Sequence, residues 1–223
     1  MGKNPNRKPL NRTMKYENRV RDILNTLYGR GVEEIYQALS GKLDQFQVRN
    51  PGLQHEKFDL TEKDVILITY GDQFQQEDVP HLDSLTDFLD SCLNGLVSVI
   101  HVLPFFPSSS DDGFSVIDYW KVDPRLGSWE EIGRLSSRYK FMVDLVVNHV
   151  SQESGWFKAF LQDEEPYRDF FVTVDPATDL SRVFRPRSHP VLTPFETLSG
   201  RKYIWTTFSA DQVDLNFSNP GVL

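Results

Sequence analysis

The chain has 223 residues, 39% of them hydrophobic and 25% charged, with a formal charge of −8. That length allows one large domain or two small ones, and so acidic a body lacks the basic face that nucleic-acid binding needs. No apolar run approaches the ~18 residues of a membrane span, and with Cys92 as the only cysteine no intrachain disulfide can form.

The charge is unevenly spread. Lys3, Arg7, Lys8, Arg12, Lys15, Arg19 and Arg21 face only Glu17 in residues 1–21, a balance of +6 that leaves −14 on the rest. This basic tip reads as a solvated terminus rather than an arm for RNA or membrane. It is not followed by the apolar core of a secretory signal, so cytoplasm is the expected compartment, with neither nucleic acid nor membrane as partner.

Residues 16–47 repeat apolar side chains at helical spacing (Val20, Ile23, Leu24, Leu27, then Val32, Ile35, Tyr36, Leu39), with a break at Gly29–Gly31. Asn50-Pro51-Gly52 closes this segment, and residues 1–62 are expected to form a helical extension in front of the main fold. The rhythm then changes to strand, helix, strand. Val65–Tyr70 is predicted as a strand ending at Gly71-Asp72, and a helix at about 81–93 aligns Leu82, Leu85, Leu89 and Cys92 on one buried stripe, stopped by Asn94-Gly95. A second strand, Val97–Leu103, runs into Pro104 and a polar loop. Ser128 with Glu131 forms a capping box that opens the next helix.

The third predicted strand, 141–147, is continuously apolar except for Asp144, as in a strand covered on both faces. It finishes on Asn148 and His149. Polar groups at the C-terminal ends of parallel strands are where α/β enzymes place their working residues. Strands alternating with helices over residues 63–151 predict a parallel α/β sheet whose strand ends bring Asp72, Asp111 and His149 to one rim. Residues 152–205 lose this rhythm and are rich in proline and aromatics. So long a structureless loop is improbable, so an inserted subdomain capping the rim is expected. Residues 206–223 return to the main fold, and a chain stopping at the apparent helix start Asn219-Pro220 reads as a truncation.

Four blocks, LITYGD (67–72), LPFFPSSSDDGFSVIDY (103–119), the D-x-x-x-N-H run at 144–149 and TTFSADQVDLN (206–216), together resemble glycoside hydrolase family 13, the α-amylase superfamily, and within it the sucrose and glucosylglycerate phosphorylase group. The likeness covers residue 64 to the end. It implies that the chain is the N-terminal part of a (β/α)8 TIM barrel, its first three strands, with an inserted subdomain after the third. The helical N-terminal extension is outside sucrose phosphorylase proper and looks more like the glucosylglycerate-type relatives.

The same resemblance implies a glucose pocket. Asp111 matches the family's sugar-hydroxyl-binding aspartate, a task that suits a carboxylate able to accept from two hydroxyls at once. Phe114 matches an aromatic platform, His149 the ligand of the glucose 6-hydroxyl, Phe208 an aromatic wall and Gln212 an amide reaching the sugar. Arg187 matches an arginine near the phosphate and acceptor subsite, a role suited to guanidinium. The plain alternatives are a turn aspartate, a core phenylalanine, a structural histidine and an exposed loop arginine. Asp144 and Asn148 are expected to be structural supports, and the resemblance implies no metal and no cofactor.

Family 13 chemistry is retaining, with a carboxylate nucleophile and a second carboxyl group as acid and base. The family's nucleophile lies in an R-x-D-A run, and none occurs in this sequence, so no catalytic residue is expected here and the chain alone is expected to be inactive. The implied reaction of the parent enzyme moves glucose from an α-glucoside to inorganic phosphate. Phe184 stands where sucrose phosphorylases commonly have tyrosine, which weakens the case for sucrose as donor. The competing expectations are a non-catalytic sugar-binding or interaction module, a fragment of an α-glucosidase or amylase-type hydrolase, and a small complete doubly wound domain.

Overall fold

A computed structural model describes residues 10–50, 61–185 and 187–222, and the chain divides into two units after Leu60. The expectations on Lys3, Arg7, Lys8 and the Pro51-Gly52 break lie outside the described residues.

In the first unit the helical periodicity gives α1 (Leu10–Tyr28) and α2 (Val32–Arg49). They are separated where Gly29 and Gly31 adopt φ of 67° and 68°, a conformation that glycine reaches without the Cβ penalty. Arg21 joins the helices, donating to Glu33 at 3.0 Å and lying over the Tyr36 ring at 3.6 Å. Leu24 is buried, whereas Ile23, Leu27, Leu43 and Phe46 are exposed.

The second unit begins with alternating strands and helices: β1 (Ile66–Thr69), α3 (His81–Cys92), β2 (Val99–Val102), α4 (Trp129–Arg138) and β3 (Lys140–Val143). The strands form a parallel sheet in the order β1-β2-β3, with Ile68, His101 and Met142 in register. One face packs on both helices. Leu82, Leu85 and Leu89 of α3 and Ile132 and Leu135 of α4 bury themselves against Ile100, Val102 and Phe105. Truncating any of these leucines to Ala costs roughly 2–5 kcal/mol. Arg134 ties the helices together by an ion pair to Asp83 at 2.7 Å.

A second core follows. β4 (His149–Ser151) pairs antiparallel with β7 (Gln212–Asp214), and β5 (Leu192–Thr197) with β6 (Gly200–Trp205) forms a hairpin. The helix α5 (Gly155–Leu161) inserts Phe157 and Phe160 between them. Phe157 meets Phe160, Phe171 and Phe195 with ring centroids 5.4, 4.9 and 4.8 Å apart. The aromatics of 152–205 thus enter a second core that they share with Val150, Val213 and Leu215.

Three expectations are corrected. The strands are shorter than predicted, and β3 stops at Val143 because Asp144 turns to His101 and the Tyr119 hydroxyl takes the Val146 carbonyl. His149 therefore belongs to β4 rather than to the end of the third strand. The run 141–147 is not covered on both faces: β3 is an edge strand, with Met142, Val143, Leu145 and Val147 exposed. Cys92 is exposed rather than buried, since it occupies the final turn of α3, past Leu89, the last fully buried leucine of the stripe.

The capping box at α4 is present as predicted. Glu131 reaches back to the Ser128 backbone N–H at 2.6 Å, and the Ser128 side chain accepts from the first helical turn. Hydrogen bonding from Ser128, with help from Arg134, outweighs burial and holds the Glu131 carboxyl down at about 2. A depressed carboxylate stabilises the fold above its unfolded value and loses that contribution as pH falls through the folded one. Ser128→Ala should lower stability by about 1 kcal/mol in urea unfolding at neutral pH. Glu131→Gln should flatten the loss of stability between pH 4.5 and 2 relative to the wild type.

The sheet face opposite the helices leaves Ile68 60% exposed, and Leu145 beyond the end of β3 is 82% exposed. An apolar surface of this kind attracts other apolar groups. The purified chain should enhance the fluorescence of a hydrophobic dye, and Ile68→Lys combined with Leu145→Lys should reduce the enhancement.

Candidate functional site

The loop after β2 turns sharply through a 3-10 turn, Asp111–Gly113. Asp111 and Asp112 both have positive φ (56° and 48°), and Gly113 has φ 100°. Aspartate tolerates the left-handed region better than most residues. Position 113 accepts only glycine, since an added Cβ would sit 2.6 Å from the Pro104 carbonyl oxygen. The turn exposes Asp111 and leaves Phe114 half-buried.

The segment 206–214 supplies the facing wall. Gln212, 1% exposed, donates through Nε2 to Asp111 Oδ2 at 2.9 Å, and the same nitrogen lies 3.1 Å from His149 Nε2. His149 Nε2 is also 3.0 Å from the Phe114 carbonyl oxygen. A carbonyl only accepts, so that bond requires the proton on Nε2 and excludes simultaneous acceptance from Gln212. In either tautomer Nδ1 of His149 is buried without a hydrogen-bond partner in the protein. Phe208 stands over His149 with ring centroids 5.1 Å apart, and the Arg187 guanidinium lies 5.6 Å from the Phe208 ring centroid. All six predicted residues, Asp111, Phe114, His149, Phe208, Gln212 and Arg187, are thus linked in one chain of contacts.

Asp144 and Asn148 contact protein partners: Asp144 Oδ2 lies 2.8 Å from His101 Nε2, and Asn148 Nδ2 lies 3.3 Å from Asp214 Oδ2. Asp72 lines a neighbouring cavity of about 750 Å³ with Tyr70, Phe106, Ser110, Asp112 and Arg125. Burial raises the pKa of the Tyr70 phenol, and the carboxylates of Asp112, Asp111, Asp72 and Asp144 raise it further. Among the described residues no three His, Cys, Asp or Glu side chains converge as metal ligands would.

Sequence reasoning missed what holds the two walls together. Asp211 Oδ2 accepts from Ser109 Oγ at 2.5 Å, from Ser115 Oγ at 2.6 Å and from Ser110 Oγ, while Ser151 Oγ reaches Oδ1 at 3.4 Å. Burial works to raise its pKa, but hydrogen bonds from Ser109, Ser110 and Ser115 outweigh it and hold the carboxyl below its usual range. The run of serines beside Asp111 and the acid beside Gln212 were the available signals. Tyr119 was missed too. Its hydroxyl donates to the Val146 carbonyl and approaches that of His149 at 3.3 Å, and burial pushes it up to about 12.

Residues 70–223 match the model of the alpha-amylase catalytic domain. The chain belongs to the alpha-amylase family. It is 52% identical over 200 residues to the glucosylglycerate phosphorylase of Allomeiothermus silvanus, covering 90% of this chain and 35% of that protein. Identity to the sucrose phosphorylase of Agrobacterium vitis is 37% over 164 residues, 68% of this chain and 33% of the relative. The crystal structure of sucrose 6F-phosphate phosphorylase from Thermoanaerobacter thermosaccharolyticum matches with a TM-score of 0.66 at 29% identity, covering 75% of this chain and 36% of that one. The chain spans about a third of the length of these family members.

Gly113→Ala should raise the energy of the Asp111 turn both by its φ and by the contact with Pro104. The expected cost is at least about 1 kcal/mol in denaturant unfolding, with displacement of the His149 ring signals in NMR spectra.

Proposed function

We propose that this chain forms the glucosyl-binding wall of an α-glucoside phosphorylase, on the first three β/α units of its (β/α)8 barrel, with 152–205 as the inserted subdomain. The observation that carries this is the meeting of Asp111, His149 and Gln212, bonded across 101 residues of sequence. An exposed carboxylate with a histidine and an amide beside it forms a set suited to sugar hydroxyls. Phe208 offers an aromatic face for the C–H side of a pyranose ring. Arg187 beside it suits an anion, either inorganic phosphate or a donor's carboxylate.

In the reaction proposed for the whole enzyme, a carboxylate outside these 223 residues displaces the aglycone at the anomeric carbon. The departing oxygen takes a proton from the general acid. Phosphate oxygen then attacks the glucosyl-enzyme and regenerates the carboxylate, giving α-glucose 1-phosphate with overall retention. The residues of this chain bind and orient the glucosyl group and supply neither nucleophile nor acid. No cofactor is involved. Among donors glucosylglycerate is favoured over sucrose. The 52% identity to a glucosylglycerate phosphorylase exceeds the 37% to a sucrose phosphorylase, and Phe184 lacks a tyrosine's hydroxyl.

The test joins this chain to the remaining barrel of a glucosylglycerate phosphorylase and assays both donors with phosphate. Glucose 1-phosphate should form, and faster from glucosylglycerate. Asp111→Ala should cost roughly tenfold to a hundredfold in kcat/KM, as expected for losing hydrogen bonds to a charged group worth about 1.5–3 kcal/mol. Release of free glucose without glucose 1-phosphate would make the family member a hydrolase instead. Turnover by the 223-residue chain alone would refute its assignment as a binding wall.

A further inference from the structure

Asp211 has no role in the reading above, yet it is the most heavily hydrogen-bonded carboxylate near the site. Its partners come from three places: Ser109 and Ser110 in the loop after β2, Ser115 just beyond the Asp111 turn, and Ser151 at the end of β4. Ser109 and Ser151 also lie 2.6 Å apart, so their hydroxyls form one network around the charge. Three hydroxyls converging on a single oxygen suit an anionic acceptor.

The register of these contacts matters more than their number. Ser110 and Asp111 are neighbours in sequence, and so are Asp211 and Gln212. Ser110 holds Asp211, and Asp111 holds Gln212, so two consecutive residues of one wall clasp two consecutive residues of the other. The Asp211 carbonyl also accepts from the Gln152 N–H at 2.8 Å, and the Gln212 N–H closes a turn onto the Ser209 carbonyl at 3.0 Å. Phe208 immediately precedes that turn. Asp211 therefore stands at the base of the loop that presents both the aromatic wall and the amide.

We propose that Asp211 is a positioning residue for the pocket: its serine-held carboxylate fixes the spacing between Asp111 and Gln212, and with it the hydrogen bonding of His149. This rests on the sugar-site reading only for its ligand, because the clasp itself is a statement about His149, Gln212 and Asp111. Neutralising the carboxylate leaves three serine hydroxyls facing an amide, whose oxygen has lone pairs for only two of them and whose NH2 accepts from none. The two walls then lose their fixed separation while both hydrophobic cores remain.

The test uses the full chain with its histidine rings isotopically labelled, in wild type, Asp211→Asn, Ser110→Ala, Gln212→Ala and the double variant D211N/Q212A. Three quantities are read: the melting temperature, the His149 ring nitrogen shifts, and the affinity for D-glucose by titration. The Asp211→Asn and Ser110→Ala variants should move the His149 signals in the same direction as Gln212→Ala, and the double variant should move them no further than Gln212→Ala alone. Glucose affinity should fall at least threefold in each single variant. A variant that melts lower yet keeps the wild-type His149 shifts would reduce Asp211 to a stabilising contact and overturn the proposal, as would equal glucose affinity in wild type and Asp211→Asn. Unfolding of both Asp211→Asn and Ser110→Ala would also overturn it, since the group would then serve folding rather than positioning. If His149 responds as described but glucose binds to no form, the clasp stands and the sugar reading falls.

Discussion

The pocket depends on one half-buried charge. Drawing the Asp211 carboxylate partly out of water is costly unless hydrogen bonds replace its hydration, and the surrounding serines do so from the loop after β2, from beyond the Asp111 turn and from β4. The same segment begins β7, which sends Val213 into the aromatic core and pairs its Gln212 with Ser151. Polar specificity and apolar packing thus meet at adjacent residues. The serine network determines where the segment lies laterally, and the core determines how deep it sits.

A second connection runs through aromatic rings. Tyr119 touches Phe106, at the margin of the sheet-and-helix core, at 5.5 Å, and Trp156, at the margin of the other core, at 5.8 Å. Its hydroxyl meanwhile donates to the Val146 carbonyl in the irregular stretch between β3 and β4 and approaches that of His149 at the start of β4. That stretch would otherwise bring unpaired backbone groups into a partly buried region. Tyr119 therefore acts as packing and as a substitute for strand pairing, which is why the chain can leave the parallel sheet at Val143 and begin an antiparallel pair at His149.

Much of this was legible from residue order. The helices followed their leucine spacing, the α4 cap followed Ser128 and Glu131, and the three-strand alternation followed the apolar runs. Strand ends were read too long because an apolar side chain signals burial but not a hydrogen-bonded neighbour; Val147 and Leu145 are apolar and yet have none. Cys92 failed for a related reason, since periodicity does not show where a helix outruns its sheet. At the site, Asp111, His149 and Gln212 were identified through family likeness, which encodes three-dimensional proximity indirectly. The serine clasp was not, because hydrogen bonds between residues about a hundred positions apart leave no local pattern, and each serine alone looks like loop composition.

That sequence separation has a consequence for how the protein comes into being. The parallel sheet and its helices link residues close in the chain, so they can organise early and at small loop-closure cost. Asp111 must then wait 101 residues for Gln212. On the ribosome, the half-built pocket presents a strained acidic turn and a row of serines to water for the whole time the aromatic subdomain is being made. Its hydroxyl-rich character keeps that surface wettable until its partner arrives. The order of synthesis favours a polar clasp here over an apolar one, because an apolar half-pocket would be sticky throughout the delay.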